Sequence, residues 1–324
     1  MTPQRILLIG GSGFIGSHLA NLLDDAGCRV RVPARRREEA RHLLLLPQTE
    51  VVEADVHDPA QLAALMQNVD AVVNLVGVLH SPGGSPYGKE FARNHVALPR
   101  AIAEACAANG VRRLVHVSAL GVGEGAPSQY LRSKTDGEAA LREAATAGGL
   151  EWTIFRPSVV FGPGDRFLSV FACLARFFWV LPVGGANARF QPVYVGDVAQ
   201  AIKRALLDRQ GIGQTLELAG PDVLSLKALV ELAARESGHP RPVLALPGAL
   251  ASLQATVLSW LPGSLMSPDN LRSMERDNVA SGTPLPFGLV PTPLGAVTPR
   301  YLGGKEPRAR YYSLRRQAGR QDVR

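Results

Sequence analysis

The chain has 324 residues, 46% of them hydrophobic and 19% charged: enough apolar material for a large core, and too little charge for a disordered chain. Cys28, Cys106 and Cys173 are odd in number and widely separated, which excludes a disulfide scaffold or a cysteine metal site and predicts a reducing, cytoplasmic setting. Of the net charge of +7, Gly303 to Arg324 carries +5, from seven Lys/Arg against two Asp/Glu. That basic tail predicts either a solvated end or attraction to an anionic membrane surface or acidic partner, and no aromatic-interleaved basic motif points to nucleic acid.

From "MTPQR" the chain enters the apolar run "ILLIGG" with no signal-peptide layout. Strands are predicted at "RILLIG" (5–10), "CRVRV" (28–32), "EVVEA" (50–54), "DAVVNLVG" (70–77), "RRLVHVS" (112–118) and "EWTIFR" (151–156). Helical stretches alternate with them, as in "IGSHLANLLDDAG" (15–27), "PAQLAALMQN" (59–68) and "FARNHVALPRAIAEACAANG" (91–110). Near-continuous apolar strands separated by helices predict a parallel sheet covered on both faces. Right-handed crossovers make it a doubly wound, Rossmann-type α/β sheet.

After Pro157 the pattern loosens into an aromatic, apolar stretch (165–182), a strand-like "FQPVYV" (190–195) and an amphipathic helix (197–207). Pro242 to Pro268 contains no charge but is cut by Pro247 and Pro262, leaving "GALASLQATVLSWL" (248–261), short of the roughly 20 residues a membrane span needs. Leu250, Leu253, Val257 and Trp260 share one face, which predicts a core helix; an interfacial helix or a wall of an apolar substrate site is the alternative. The aromatic run Phe167, Phe171, Phe177, Phe178 and Trp179 has the same two readings. The expected organisation is a nucleotide-binding domain at 1–157, a smaller, discontinuous C-terminal lobe at 158–302 with some elements returning to the sheet, and the basic tail at 303–324.

Three stretches carry chemistry. In "IGGSGFIGSH", Gly10, Gly13 and Gly16 recur every third residue where the first strand turns into the first helix. Glycine there permits the tight turn, backbone approach to a pyrophosphate, and close packing of helix on strand. The second strand ends in "VPARRREE": where a carboxylate would meet an adenosine ribose stands Ala34, followed by Arg35, Arg36 and Arg37. Guanidinium groups suit a 2′-phosphate, so NADP(H) is expected over NAD(H), unless the arginines only decorate a solvated helix start. In "SQYLRSKTDGEAA", Tyr130 and Lys134 lie four apart on a predicted helix, where a cation beside a phenol favours the phenolate. The other Tyr-x-x-x-Lys pair, Tyr301–Lys305, spans two glycines and is read as coincidence.

Together, "GGSGFIG", "ADV" (54–56), "NLVG" (74–77), "RNHVAL" (93–98), "VSALG" (117–121), "YLRSK" and "RPSVVFGPGD" (156–165) resemble the short-chain dehydrogenase/reductase superfamily, in its extended or atypical, NAD(P)-dependent epimerase/dehydratase-like branch. "GPGDRFL", "FQPVYVGDVAQAI" and "SPDNLRSMERDNV" (267–279) are similar, more narrowly, to the family of the nucleotide-binding accessory subunit of respiratory complex I and its bacterial relatives. The resemblance implies that backbone at Phe14 and Ile15 joins the glycines around the cofactor, and that Asp55 and Val56 flank the adenine. It implies that Asn74, Leu75, Val76 and Gly77 pass beside the ribose, that Asn94 belongs to the same site, and that the turn after Pro157 leads to the substrate lobe. Lys134 would hold the nicotinamide ribose and Tyr130 would transfer a proton. Ser118 is either the hydroxyl partner of that tyrosine or a structural hydroxyl, since Leu120 occupies the later position where many relatives have serine. Asp197 is expected to fix its helix.

Two functions stay open. One is an oxidoreductase or epimerase/dehydratase acting through Tyr130 on a small molecule of apolar character. The other is a nucleotide-binding accessory or assembly factor at a respiratory or quinone-pathway membrane complex, peripheral on the inner face.

Overall fold

A computed structural model describes residues 4–259, 266–282 and 285–303. Strands β1 (Arg5–Ile9), β2 (Arg29–Ala34), β3 (Thr49–Glu53), β4 (Ala71–Asn74), β5 (Arg113–Val117) and β6 (Glu151–Pro157) join a later strand at Gln214–Leu218 in one seven-stranded sheet. All neighbours are parallel, and chain order reverses between β1 and β4, so the sheet is doubly wound. Successive side chains point to opposite faces. Ile6 and Leu8 of β1 therefore meet α1 (Phe14–Asp24) and the later helix α7 (Val195–Leu207), whereas Leu7 and Ile9 meet α2 (Pro59–Leu65) and the helices that follow β4.

Those helices are one rod with an interruption: α3 (Lys89–Phe91) runs through a π-helical stretch, Ala92–Ala97, into α4 (Leu98–Ala108). The wider turn carries Asn94 and His95, and such bulges recur at functional sites. Helix α5 (Gln129–Ala147) crosses this stretch, with Gly137 over the His95 carbonyl.

The remaining elements form a second core around Phe161, Leu168, Leu181, Leu229 and Val230. It is built from α6 (Leu168–Phe177), α8 (Leu226–Glu236) and α11 (Leu294–Tyr301), with three two-stranded ribbons. The ribbons pair β7 (Val160–Phe161) with β10 (Val193–Tyr194), β8 (Leu181–Val183) with β13 (Val243–Ala245), and β9 (Arg189–Phe190) with β12 (Leu224–Ser225). β11 (Gln214–Leu218) is the strand that returns to β6. Asp197 accepts from the Thr292 backbone at 2.7 Å and hydroxyl at 2.9 Å, fixing the start of α7.

Two expectations need correction. "FQPVYV" is not one strand: it divides into β9 and β10 around Gln191 and Pro192, which fits the donor that proline lacks. Helix α9 (Gly248–Ser259) is not a leucine-faced core helix, because it buries Ala251 and Ala255 and exposes Leu250, Leu253 and Val257; Trp260 lies outside the described residues. α10 (Pro268–Ser273) follows.

Candidate functional site

Every sequence-derived site residue except Asn94 lies at, or just beyond, the carboxyl end of a parallel strand or on α1 or α5, along one edge of the sheet. Gly10 has φ +81°, and a side chain on it would meet the Leu75–Val76 peptide at 3.1 Å, so the first βα turn and the 74–77 loop touch. At Gly16 a Cβ would fall 2.5 Å from Gly11, which is how closely α1 packs on its strand. Exposed Gly13 is the N-cap of α1 and offers no side-chain acceptor; the first turn contains no carboxylate. The backbone N–H groups at Phe14 and Ile15 and the positive helix end are therefore free for an anion. Phe14 lies against Gly164, and His18 Nε2 donates to the Pro163 carbonyl at 3.1 Å, so the 162–165 turn closes one side.

Beyond β2, Arg35 and Arg36 are water-facing, with side chains 82% and 75% exposed. Both lean on Glu39, at 4.0 and 3.1 Å. After β3, Arg93 approaches Asp55 at 3.8 Å, and Asn94 bonds the Glu90 carbonyl and His57 Nε2 at 2.8 and 3.2 Å. Through His57, Asn94 thus connects to the loop of Asp55 and Val56, on the side expected for adenine. Pro157 ends β6, and its carbonyl accepts from Leu120 N–H at 2.9 Å.

The opposite half of the edge is dry. Lys134 is 3% exposed and donates weakly to the Val76 and Val117 carbonyls, each at 3.4 Å. Burial lowers its pKa to about 8, against a partial restoring pull from Glu138. Glu138 is itself buried and claimed by Arg156, at 2.8 and 2.7 Å, and by Arg142. Tyr130 is half-buried among Phe91 and His95, and burial pushes its phenol up to about 12. The expected lysine-assisted lowering is absent: in this state desolvation governs both groups, each toward its neutral form.

Buried polar atoms without partners cluster here. Asn74 Nδ2, Ser118 Oγ and both ring nitrogens of His116 are unpaired among the described residues. Asn74 and His116 are register partners on β4 and β5, and Ser118 follows β5. Unpaired polar atoms beside a buried lysine, glycine-lined backbone at the next strand and two guanidinium groups beyond fit an elongated phosphorylated ligand laid across β5, β4, β1 and β2. No helix among the described residues is long and apolar enough to cross a membrane.

Several supports escaped the sequence reading. Asp269 of α10 accepts from the Gln129 and Tyr130 N–H groups at 2.8 and 3.0 Å, so a carboxylate from far along the chain caps α5 at the tyrosine. His95 Nε2 accepts from Val78 N–H at 3.0 Å, which leaves Nδ1 to donate to Ser133 Oγ at 2.8 Å; Ser133 in turn bonds the Tyr130 carbonyl. Burial and Lys134 push His95 down to about 2, so it is a neutral strut. Asn278 accepts from Ser158 and donates to the Leu120 carbonyl. Asp269 and Asn278 lie in "SPDNLRSMERDN", the only signal that could have marked them. Tyr301, of the coincidental pair, instead bonds Asp165 at 2.6 Å, while Lys305 lies outside the described residues.

This geometry agrees with what the chain is similar to. The mitochondrial NADH dehydrogenase (ubiquinone) 1 alpha subcomplex subunit 9 of Arabidopsis thaliana is 32% identical over 86% of this chain and 72% of its own length. A ceramide reductase of Caulobacter vibrioides is also 32% identical, over 60% of this chain and 58% of its own. The UDP-glucose 4-epimerase of Thermus thermophilus, solved with NAD, shares the fold at a TM-score of 0.61 and 21% identity, covering 83% of this chain and 99% of that one. The profile of the NAD dependent epimerase/dehydratase family matches residues 6–219, which run from β1 through β11 and so take in the whole sheet. The glycine turn, the buried lysine and its tyrosine all lie within the matched stretch, and the chain belongs to the NAD-dependent epimerase/dehydratase family.

Proposed function

We propose that the protein binds NADP(H) along this edge and reduces, or reversibly oxidises, a small apolar substrate with Tyr130 as acid/base. The observation that carries the reading is the α5 pair: a half-buried phenol one helical turn from a buried ammonium that reaches the β4 and β5 carbonyl ends. NADP(H), when bound, supplies or accepts the hydride. For a carbonyl substrate the proton comes from the Tyr130 hydroxyl, and Lys134 holds the ribose hydroxyls and the positive charge that a phenol near pKa 12 needs before it can cycle. Gly10, Gly13, Gly16 and the Phe14 and Ile15 N–H groups would take the pyrophosphate, Asp55 and Val56 the adenine, and Asn74 to Gly77 the ribose flank, with Pro157 and Asn94 as outer walls. Ser118, with an unpaired hydroxyl, would face the reacting oxygen. Arg35 and Arg36 would turn from Glu39 to the 2′-phosphate. The ceramide reductase relative supports a lipid-like carbonyl compound.

A second reading is a nucleotide-binding accessory factor, cytoplasmic and peripheral at a respiratory membrane complex, with the cofactor as a structural ligand; the Arabidopsis relative, a subunit of NADH dehydrogenase (ubiquinone), supports its respiratory association. Titration of the two reduced cofactors tests the first part. A 2′-phosphate held by charge-assisted bonds of roughly 1.5–3 kcal/mol gives about a 10- to 100-fold preference for NADPH; equal affinities overturn it. Turnover of the compound that oxidises bound NADPH in a membrane extract should fall about 10²–10⁴-fold in Tyr130→Phe with cofactor affinity kept. Wild-type turnover in that variant removes the tyrosine from the chemistry.

A further inference from the structure

Helix α9 is mounted with its small residues inward. Ala251 and Ala255 are buried, and Gln254 hangs the helix on β8 by accepting from Gly184 N–H at 3.1 Å and donating to the Pro182 carbonyl at 2.8 Å. Leu250, Leu253 and Val257 are 52%, 60% and 50% exposed. They continue an apolar strip that begins at the end of α6, where Phe177 and Trp179 are 74% and 79% exposed and Phe178 and Val180 also face out. Between the two, Pro182 and Leu244 are register partners on β8 and β13, and both are exposed. A helix in water ordinarily keeps charges on its outer face. This one has none, and Pro242 to Pro268 contains no charge at all.

Cations border the strip. Arg176 is exposed beside Phe177, and the Arg241 guanidinium lies over the Trp179 ring, 4.9 Å from its centroid. Gly303 packs against the Glu236 carbonyl, five residues before Arg241, and the sequence after it is the basic tail. Leucines at the centre, a tryptophan under Arg241 and the exposed Arg176 at its edge match the depth profile of a bilayer: hydrocarbon, interface, anionic headgroups.

We infer that this strip, Phe177–Val180 with Leu244 and the outer face of α9, is the surface that the protein lays on an anionic lipid bilayer. It rests on the peripheral-membrane part of the second reading above and is independent of Tyr130 chemistry. On it, the apolar side chains enter the headgroup boundary without crossing it, while Arg176, Arg241 and the tail meet phosphates. A second copy of the chain, or a protein subunit, is the competing occupant.

Flotation of the full chain with vesicles decides it, using phosphatidylcholine alone or with about one third phosphatidylglycerol, at low and high salt. Binding to the anionic vesicles is expected, falling at high salt. Trp179→Ser with Leu253→Ser should lower partitioning at least about tenfold, with NADPH affinity unchanged. Removal of residues 304–324 should abolish most of the salt dependence. Vesicle binding that survives the double substitution removes this face while leaving a peripheral location intact. Absence of vesicle binding by the full chain removes both. A dimer that the double substitution converts to monomer, without vesicle binding, assigns the strip to a second copy and also overturns the proposal.

Discussion

Replacing Lys134 with methionine should stabilise the cofactor-free protein and at the same time cripple cofactor binding. Lys134 is 3% exposed, and among the described residues no carboxylate lies within ion-pair distance of it. Its pKa falls from an ordinary 10.5 to about 8. Below pH 8 the folded state must hold a cation it disfavours, whereas the unfolded chain does so freely. At about 1.4 kcal/mol per unit, the penalty at pH 7 is about 3 kcal/mol. As pH rises from 8 to 10.5 the folded protein sheds the proton first, so wild-type stability climbs and the penalty fades, to about 1.4 kcal/mol at pH 9.5. Methionine fills similar volume without charge, and the two hydrogen bonds it forfeits are long. Urea unfolding of both proteins from pH 7 to 9.5 should give Lys134→Met an advantage of about 2–3 kcal/mol that halves or more across the range. NADPH affinity should fall at least about tenfold. A variant less stable than wild type at pH 7, or an advantage that ignores pH, would refute the idea that this lysine is held against a desolvation cost.

Glu138→Ala strands the Arg156 guanidinium beside a buried void and should destabilise by about 3–5 kcal/mol in the same assay; a loss under 1 kcal/mol would make the pair ornamental. Gly137→Ala drives a methyl into the His95 carbonyl, so about 1–3 kcal/mol or more should be lost, with NADPH binding weakened because α5 must lift away from the 74–78 loop. Asp269→Ala removes the carboxylate from the start of α5; about 1 kcal/mol of stability should go, and turnover should suffer more than NADPH affinity because the cap lies at Tyr130 rather than Lys134. Equal losses in both would place Asp269 in the frame alone.

Much of the sheet is legible because β1, β4 and β5 are buried on both faces and leave uninterrupted apolar runs between glycine and helix signals. The glycine turn reads for the same local reason: its spacing and its strand and helix flanks are all within twenty residues. Helix α9 does not follow its sequence pattern, because a stripe of leucines marks an apolar face without saying what it meets; Ala251 fits closely against Gly184, where leucine would not. Spacing alone overstates the lysine's influence on Tyr130, because it carries no information about burial, which dominates both groups. The leaning of Arg35 and Arg36 on Glu39 was readable three and four residues away. Asp269 and the His95–Ser133 strut were not, since their partners are brought together by tertiary packing alone.

The cap on α5 also sets an order of completion. Ser128 caps Leu131 locally, but the Tyr130 N–H waits for a carboxylate 139 residues further along the chain. Translation at about 5–20 residues per second puts roughly 7–28 seconds between the emergence of the two. The sheet, the glycine turn and Lys134 precede Asp269 in synthesis, and Ser273, which donates to Ser128 at 2.8 Å, arrives later still. A nascent chain can therefore assemble its sheet and glycine turn while the turn that carries Tyr130 is unfinished. The turn at Tyr130 is complete only once Asp269 and Ser273 have been made and α10 has docked on α5.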